Sequence, residues 1–226
     1  MSNPIVHTEI RSADPGGSAR TWELIHRERA GMADLLAGLA PSEWGGPSLC
    51  AGWSVQVMAG HILAGAEQTP GRFVSRLVAN RFRFNTMMDR EARRVGTLRP
   101  TEIVERLRAT TSTTNRPPAS VMTMLGEIVV HGEDIRRPLG ITGSTPPGAV
   151  AACLTLYSRA NFPVGAKKRI AGLHIAASDL DWSHGSGPEV HGPGLSLLLA
   201  VTGRPGVNDL DGDGVAILSG RMPAAH

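Results

Sequence analysis

Prolines divide the first part of this chain into segments of helical length. Proline is accepted in the first turn of a helix but interrupts a helix interior, because its ring removes a hydrogen bond and clashes with the preceding turn. Between the prolines, apolar residues recur at the three- and four-residue spacing of helices with one buried face. The pattern predicts helices at 19–39, 55–66, 72–95, 100–111, 119–139 and 147–162, the third of them long or broken.

The composition changes late in the chain, which predicts a division into parts. Residues 1–18 are polar and rich in turn formers, so we expect a loose N-terminal arm. Residues 19–163 are predicted to form a helical domain. Residues 164–226 contain a turn-rich stretch, a short apolar helix at 194–203 and an apolar run at 215–218 that predicts a last strand. The expected fold class is mainly α, with a small α+β C-terminal domain.

The charge pattern gives little support for a nucleic-acid partner. Hydrophobic residues make up 41% of the chain and the formal net charge is only +3, so a folded core is expected. The basic cluster from Arg72 to Arg94 has no interleaved aromatic ladder, which argues against nucleic acid. It remains either a solvated helix face or a site for an anionic ligand.

Cysteine content and hydropathy point to the cytoplasm. The two cysteines are too few for a disulfide framework, and no apolar leader opens the sequence. The longest apolar runs, such as 195–201, are too short to cross a bilayer, so no membrane partner is expected. Oligomeric state stays open between monomer and homodimer.

The strongest chemical signal is the pair Glu127 and His131. The i, i+4 spacing places both side chains on one face of the predicted helix, and that face is otherwise apolar. A carboxylate directed toward a core needs a partner, because burying an unpaired charge is costly. A divalent metal is one such partner and a simple surface ion pair is the other interpretation.

His61 strengthens the metal interpretation. It lies in the middle of a second apolar helix, where a single histidine is ordinarily a hydrogen-bonded core residue. Two helices now direct metal-type ligands toward one interior. Two histidines and one carboxylate leave a coordination position open, which is typical of catalytic zinc rather than structural zinc. The metal ligands are therefore predicted to be His61, Glu127 and His131.

Several sequence blocks together resemble the mycothiol-dependent maleylpyruvate isomerase family, whose fold is DinB-like. A loop with tryptophan, cysteine and Gly-Trp-Ser-Val precedes the helical histidine, and a second block begins at the later histidine. The resemblance spans about 20 to 220. The blocks are Trp44, Pro47–Val55, Gly60–Leu63, His131–Gly140, Ala177–Trp182, Gly192–Pro193 and Thr202–Arg204.

The resemblance implies an up-down four-helix bundle followed by the small C-terminal unit. It implies a metal held by His61, Glu127 and His131, the residues chosen above on physical grounds. It also implies use of mycothiol, the low-molecular-weight thiol of actinobacteria. A basic residue of the C-terminal unit is expected to assist catalysis, and Arg204 is the match for it.

The expected function is a metal-dependent, mycothiol-dependent enzyme acting on a small electrophile. Free thiols are mostly protonated at neutral pH, and a metal with an open position favours the reactive thiolate. Addition followed by elimination would give an isomerase, and addition or displacement alone would give an S-transferase. The alternatives are a DinB-like hydrolase or transferase that uses water or another thiol, and a non-enzymatic carrier of a small apolar ligand.

Other chemically suggestive residues have simpler interpretations. Cys50 and Cys153 have apolar neighbours, so both are predicted to be buried and structural. The acidic segment 209–214 begins like an EF-hand loop, but the position that requires glutamate is Gly220, which predicts an ordinary turn. Asp134, three residues after a proposed ligand, is either a partner of that ligand or an ordinary helix charge.

Overall fold

The computed structural model of the protein describes residues 15–143 and 145–223. None of the described helices combines the length and apolarity needed to cross a lipid bilayer. The helices in chain order are α1 (Pro15–Ala37), α2 (Pro41–Trp44), α3 (Val55–Ala66), α4 (Pro70–Ala79), α5 (Phe84–Gly96), α6 (Pro100–Ala109), α7 (Val121–Arg136), α8 (Pro147–Arg159), α9 (Ala166–Arg169), α10 (Gly194–Thr202) and α11 (Val215–Ser219).

Four of these helices close a bundle. Helix α1 packs against α6 and α7, and α3 packs against the same two helices, so the four surround one apolar interior. Helix α5 covers the outer side of α3, and α8 packs on α7. The interior is built from aliphatic and methionine side chains such as Ile25, Met58, Leu63, Leu107 and Leu125, all fully buried. The DinB-like helical fold predicted from the sequence is confirmed.

Serine caps begin the two helices that carry the predicted ligands. The Ser54 side chain accepts a hydrogen bond from the Val57 amide at the start of α3, and Ser120 accepts one from the Met122 amide at the start of α7. These bonds satisfy amides that have no partner within the helix. The caps fix where each helix begins and therefore which residues face the bundle interior.

The long basic segment after Pro70 is broken into α4 and α5. The backbone of Arg81 and Phe82 adopts positive φ angles of 53° and 60° between the two helices. Side chains disfavour this left-handed region, so a helix does not continue through it. Of the two predicted forms, long or broken, the broken one is confirmed.

The C-terminal unit contains a small mixed sheet. Strand β1 (His174–Ala177) pairs antiparallel with β2 (Ser183–Gly185) and parallel with β3 (Glu189–Gly192), and α10 packs against β1, α8 and α9. Strands β2 and β3 lie in the stretch that the sequence indicated only as turn-rich. Strands of three or four residues carry too short a pattern to be recognised before their pairing partner is known.

The predicted strand at 215–218 is wrong, because these residues form helix α11. Leu218 is fully buried, Val215 is half-buried and Ile217 is exposed. Burial thus follows the three-residue spacing of a helix. A four-residue apolar run cannot distinguish the two structures by periodicity, and the length of the run gave no further information.

The helical part begins earlier in the chain than the sequence predicted. The predicted arm at 1–18 is wrong for its last residues, because α1 already begins at Pro15, where proline suits a first helical turn. Residues 1–14 of that arm lie outside the described residues. The division between 19–163 and 164–226 stays a prediction, and Trp182 of the tail donates a hydrogen bond to Thr155 of α8.

A glycine contact joins α3 to α5. A Cβ atom added at Gly60 would lie 2.5 Å from the Gly96 amide nitrogen and 2.7 Å from the Ala92 carbonyl oxygen. These are backbone atoms, so the helices would have to separate. We expect Gly60→Ala to lower the free energy of unfolding by about 1–3 kcal/mol, measured by urea denaturation.

Gly31→Ala provides a matched control for the glycine contact. Gly31 lies within α1, is exposed and has no atom within 4 Å of an added Cβ. There the same substitution should stabilise the helix by about 0.5–1 kcal/mol, because alanine loses less conformational freedom on folding. Equal effects at the two positions would show that the α3–α5 approach is not as close as described.

Candidate metal centre

The three predicted ligands meet inside the bundle. His61 comes from α3, and Glu127 and His131 come from successive turns of α7. The Glu127 Oε2 atom lies 3.3 Å from His61 Nε2 and 3.3 Å from His131 Nε2. The two imidazole rings stand nearly perpendicular, at 88°, with centroids 4.6 Å apart. One donor atom from each residue therefore faces a common point, and the three residues could hold a metal ion there.

The two histidines of this cluster favour the ionised form of the Glu127 carboxyl group. Burial alone would raise the pKa of Glu127, but the His131 charge and the hydrogen bonds of both imidazoles bring it well below its usual range. Burial alone would lower the pKa of His131, but Glu127 and Asp134 raise it well above its usual range. Burial, followed by the His131 charge, lowers the pKa of His61. The carboxylate thus sits between two imidazoles, an environment that favours a cation.

Asp134 is a partner of His131 and not an ordinary helix charge. Its Oδ2 atom lies 2.7 Å from His131 Nδ1, and the side chain is fully buried. An ionised carboxylate only accepts hydrogen bonds, so Nδ1 carries a proton. If a metal ion took the place of the second ring proton, Nε2 would direct its lone pair to that ion on the Glu127 side. Burial alone would raise the pKa of Asp134, but the Arg204 charge and the His131 contact lower it to about 2.

Arg204 reaches this cluster from the C-terminal unit. Its Nε and Nη2 atoms each lie 3.2 Å from an Asp134 oxygen, and Nη2 lies 3.4 Å from His131 Nδ1. The guanidinium is largely buried, with 12% of its side chain exposed. Burial alone would lower the pKa of Arg204, but Asp134 raises it above its usual range. Arg204 is therefore a fixed cation next to the predicted ligands, and its catalytic role stays a prediction.

Cys50 differs from its predicted surroundings. It is half-buried rather than buried, and its Sγ lies 3.4 Å from Asp134 Oδ2 and 4.0 Å from Arg204 Nη2. The apolar neighbours in sequence gave no sign of these contacts, which come from α7 and the C-terminal unit. Cys153, in contrast, is fully buried on α8, as predicted, and burial raises its thiol pKa to about 12.

The acidic segment 209–214 behaves as the predicted turn. Asp209 ends a short 3₁₀ helix and binds Arg137 at 2.9 Å and Ser196 at 2.7 Å. Asp211 forms a backbone bridge with His191. These contacts connect the segment to α10 and to the end of α7 and give no cation-binding loop.

Two cavities meet at His61 and Glu127. The first, of about 350 Å³, extends between α4, α5 and the start of α7, and we call it the apolar chamber. The second, of about 260 Å³, is lined by Cys50, Asn85, His131, Tyr157 and Arg204, and we call it the Arg204 chamber. Phe84, Met88 and Pro163 border both cavities. The cluster of ligand atoms is therefore reachable from two sides.

Trp53 borders the Arg204 chamber as well. Its ring centroid lies 5.1 Å from that of His61, and its Nε1 atom donates a hydrogen bond to Asp89 of α5. In the sequence, Trp53 stood out only as part of the Gly-Trp-Ser-Val block before the helical histidine. The contact with His61 places it beside the candidate metal ligands, and its position one residue before the helix cap was the only available signal.

Fold and site together define a class: a DinB-like helical protein whose bundle interior gathers a His–Glu–His set of metal-type ligands. Residues 25–121 match the family model described as the mycothiol maleylpyruvate isomerase N-terminal domain. The matched family is the one predicted from the motifs. The match includes His61 and ends before Glu127, His131 and Arg204.

Solved structures agree with this assignment at the level of the fold. A crystal structure of the mycothiol-dependent maleylpyruvate isomerase has a TM-score of 0.59 at 14% sequence identity, covering 92% of this chain and 96% of that one. A histidine-to-alanine mutant of that isomerase has a TM-score of 0.61 at 13% identity, with the same coverage. Comparison with curated protein sequences gives no match.

Proposed function

We propose that this protein is a metal-dependent enzyme that uses mycothiol as a thiol cosubstrate and acts on a small electrophilic compound. The observation that carries the proposal is the convergence of His61, Glu127 and His131 at the point where two cavities meet. The family of residues 25–121 supports mycothiol as the thiol. The structural neighbours are forms of a mycothiol-dependent isomerase, which supports an isomerase.

The donor set fits a divalent ion, and we propose zinc. Both imidazoles direct Nε2 to the same carboxylate oxygen, and Asp134 fixes the His131 tautomer that leaves Nε2 available. Zinc accepts imidazole nitrogen and carboxylate oxygen, and three protein ligands leave a position for an outside molecule. His61 Nδ1 is buried and meets no hydrogen-bond partner among the described residues.

The surrounding residues would prepare the site for thiol chemistry. A metal ion bound there supplies Lewis acidity, which lowers the pKa of a thiol that is otherwise mostly protonated near neutral pH. Asp134 holds the His131 ring in place, and Arg204 would keep a positive charge beside the ligand cluster, where it could stabilise negative charge that develops in the reaction. Trp53 would give one wall of the Arg204 chamber an apolar surface beside His61.

The reaction needs no nucleophile from the protein. The thiol sulfur forms a bond to an electrophilic carbon while the electron pair of the conjugated double bond moves toward its carbonyl group. Rotation about the new single bond and departure of the sulfur with its bonding pair restore the double bond in isomerised form. If a proton is added to the neighbouring carbon instead, the sulfur stays on the product, which is S-transfer.

The thiol requirement is tested with zinc-loaded protein and a small cis-enone. Isomerisation is followed by absorbance and thioether formation by mass spectrometry, with mycothiol, with glutathione and without thiol. We expect turnover only with a thiol, fastest with mycothiol, and its loss after chelation of the metal. Equal turnover without thiol would contradict the proposal and indicate a DinB-like hydrolase or transferase that uses water. Protein that carries no metal and retains an apolar ligand on purification would indicate a carrier.

A further inference from the structure

The apolar chamber is formed by aromatic and methionine side chains from several elements. Phe73 comes from α4, Phe84 and Met87 from α5, Met124 from α7, and Phe162 from the segment after α8. The Phe84 ring lies 5.0 Å from that of Phe162 and 6.4 Å from that of Phe73, between centroids. Rings at these distances form one continuous aromatic wall.

The aromatic wall lines an accessible cavity and is not only part of the hydrophobic core. Phe162 is 70% exposed, although it belongs to the ring cluster. The cavity of about 350 Å³ reaches His61 and Glu127 at its inner end. Sites for small organic molecules are concave, largely apolar and of roughly 300–1,000 Å³, with a few polar groups that fix orientation. The candidate metal ligands would be those polar groups here.

The positive charge of Arg76 on the chamber wall is already balanced by Glu91, a carboxylate that Arg94 also contacts. Apart from His61, Arg76 is the only basic side chain that the described residues place on this wall. Arg76 Nη2 lies 3.0 Å from Glu91 Oε2, and its Nη1 atom donates to Gln68 Oε1 at 2.7 Å. An anionic group in the chamber would therefore have to compete with Glu91 for its cation. This balance also argues against an anionic-ligand site at Arg76.

From these observations we infer that the electrophile carries an uncharged, ring-bearing apolar body that occupies the apolar chamber. Its reactive carbon lies at the His61 and Glu127 end, and the thiol approaches from the Arg204 chamber, where Arg204 and Asn85 suit a polar molecule. The inference rests on the proposed function and names its substrate class. A compact dicarboxylate would leave the aromatic wall unfilled, and a charge that entered the apolar chamber would have to compete with Glu91 for Arg76.

A matched pair of unreactive ketones tests the chamber without turnover. The uncharged probe is 4-phenylbutan-2-one, and the charged probe carries a carboxylate at the para position of the same ring. Binding to the zinc-loaded protein is measured by isothermal titration calorimetry. With the ketone at the His61 and Glu127 end, the para carboxylate lies away from the zinc, and the basic side chain that the described wall offers there is Arg76, already paired with Glu91. We therefore expect the carboxylate to weaken binding by at least about tenfold. Equal or tighter binding of the charged probe would overturn the inference.

Substitution of Thr123 tests whether the ketone binds in the apolar chamber. Thr123 is half-buried on the chamber wall, one helical turn before Glu127. Thr123→Trp should fill the cavity and weaken binding of 4-phenylbutan-2-one by at least about tenfold, whereas Thr123→Val keeps the volume and should stay within about twofold. Unchanged far-ultraviolet circular dichroism shows that the tryptophan variant is folded. Undiminished binding in that variant would overturn the inference.

The two proposals fail separately in these experiments. The corresponding enones are then assayed with mycothiol, where we expect a higher kcat/KM for the uncharged compound. Ketone binding with the expected preference but no thiol-dependent turnover would contradict the proposed function and leave the chamber assignment standing. Thiol-dependent turnover that favours the charged enone would contradict the chamber assignment alone.

Discussion

Alanine at His61 or His131 is expected to abolish stoichiometric binding of a divalent metal while the bundle stays folded. Each histidine supplies one of three donor atoms that face a common point. Two donors are fewer than the three protein ligands of a catalytic zinc site. The side chains touch the cavities, so their removal enlarges existing space more than it disrupts packing. Elemental analysis after dialysis against limiting zinc measures the metal content, and far-ultraviolet circular dichroism measures helicity.

His174→Ala is the matched control for the ligand substitutions. His174 also lies beside a glutamate, with 3.3 Å between its Nδ1 and Glu189 Oε2, but it belongs to β1 and is partly exposed. Its replacement should leave zinc content unchanged. Full zinc content in both the His61 and the His131 variants would overturn the assignment of the site.

A second readout uses stability instead of metal content. A metal that binds only the folded state raises the melting temperature as its concentration rises above the dissociation constant. Zinc should therefore raise the Tm of the wild-type protein and of His174→Ala but not that of His131→Ala. Glu127→Gln keeps the shape and removes the charge, and we expect it to reduce the zinc-dependent increase.

The meeting of His61, Glu127 and His131 in one interior could be predicted, because the signals for it are local. Glu127 and His131 share a helix face through their spacing alone, and His61 lies mid-helix on an apolar segment. Sequence spacing also put Asp134 near His131, but it could not decide between a buried partner and a surface charge. That decision depends on the burial of Asp134 under Arg204, a contact between residues far apart in the chain.

The chambers and the tail could not be predicted for the same reason. The contacts of Cys50 with Asp134 and Arg204 join the loop before α3, helix α7 and the C-terminal unit. The pattern of apolar residues within one segment gives no information about contacts between distant segments. Helix α11 was mistaken for a strand because a short apolar run carries no length information, whereas α7 has sixteen residues over which its buried face repeats.

Asp134→Asn is expected to weaken both the metal site and the fold. The carboxylate holds the His131 ring, and outer partners of metal-ligating histidines contribute about 10–100-fold to metal affinity. The substitution also leaves the Arg204 guanidinium without its countercharge in a largely buried position. Removing one partner of a buried ion pair costs about 3–5 kcal/mol. Competition with a chelating dye measures zinc affinity, and urea denaturation measures stability.

Asp209→Asn is the matched control. It makes the same substitution at an aspartate that also pairs with an arginine, but at the surface. Asp209 Oδ2 lies 2.9 Å from Arg137 Nη1, but 44% of its side chain is exposed. Solvent screens such pairs, so the expected loss is within about 1 kcal/mol, with zinc affinity unchanged. Similar losses for Asp134→Asn and Asp209→Asn would show that burial of the Asp134–Arg204 pair does not stabilise the fold.

The double variant Asp134→Asn with Arg204→Gln separates the two effects of Asp134. Neutralising both partners removes the unpaired buried charge, so part of the lost stability should return, as for other coupled pairs in double-mutant cycles. Zinc affinity should not return, because the asparagine still lacks the charge that stabilises the His131 Nδ1 proton. Recovery of both properties together would mean that Asp134 acts on the metal site only through Arg204, and recovery of neither would contradict the buried ion pair.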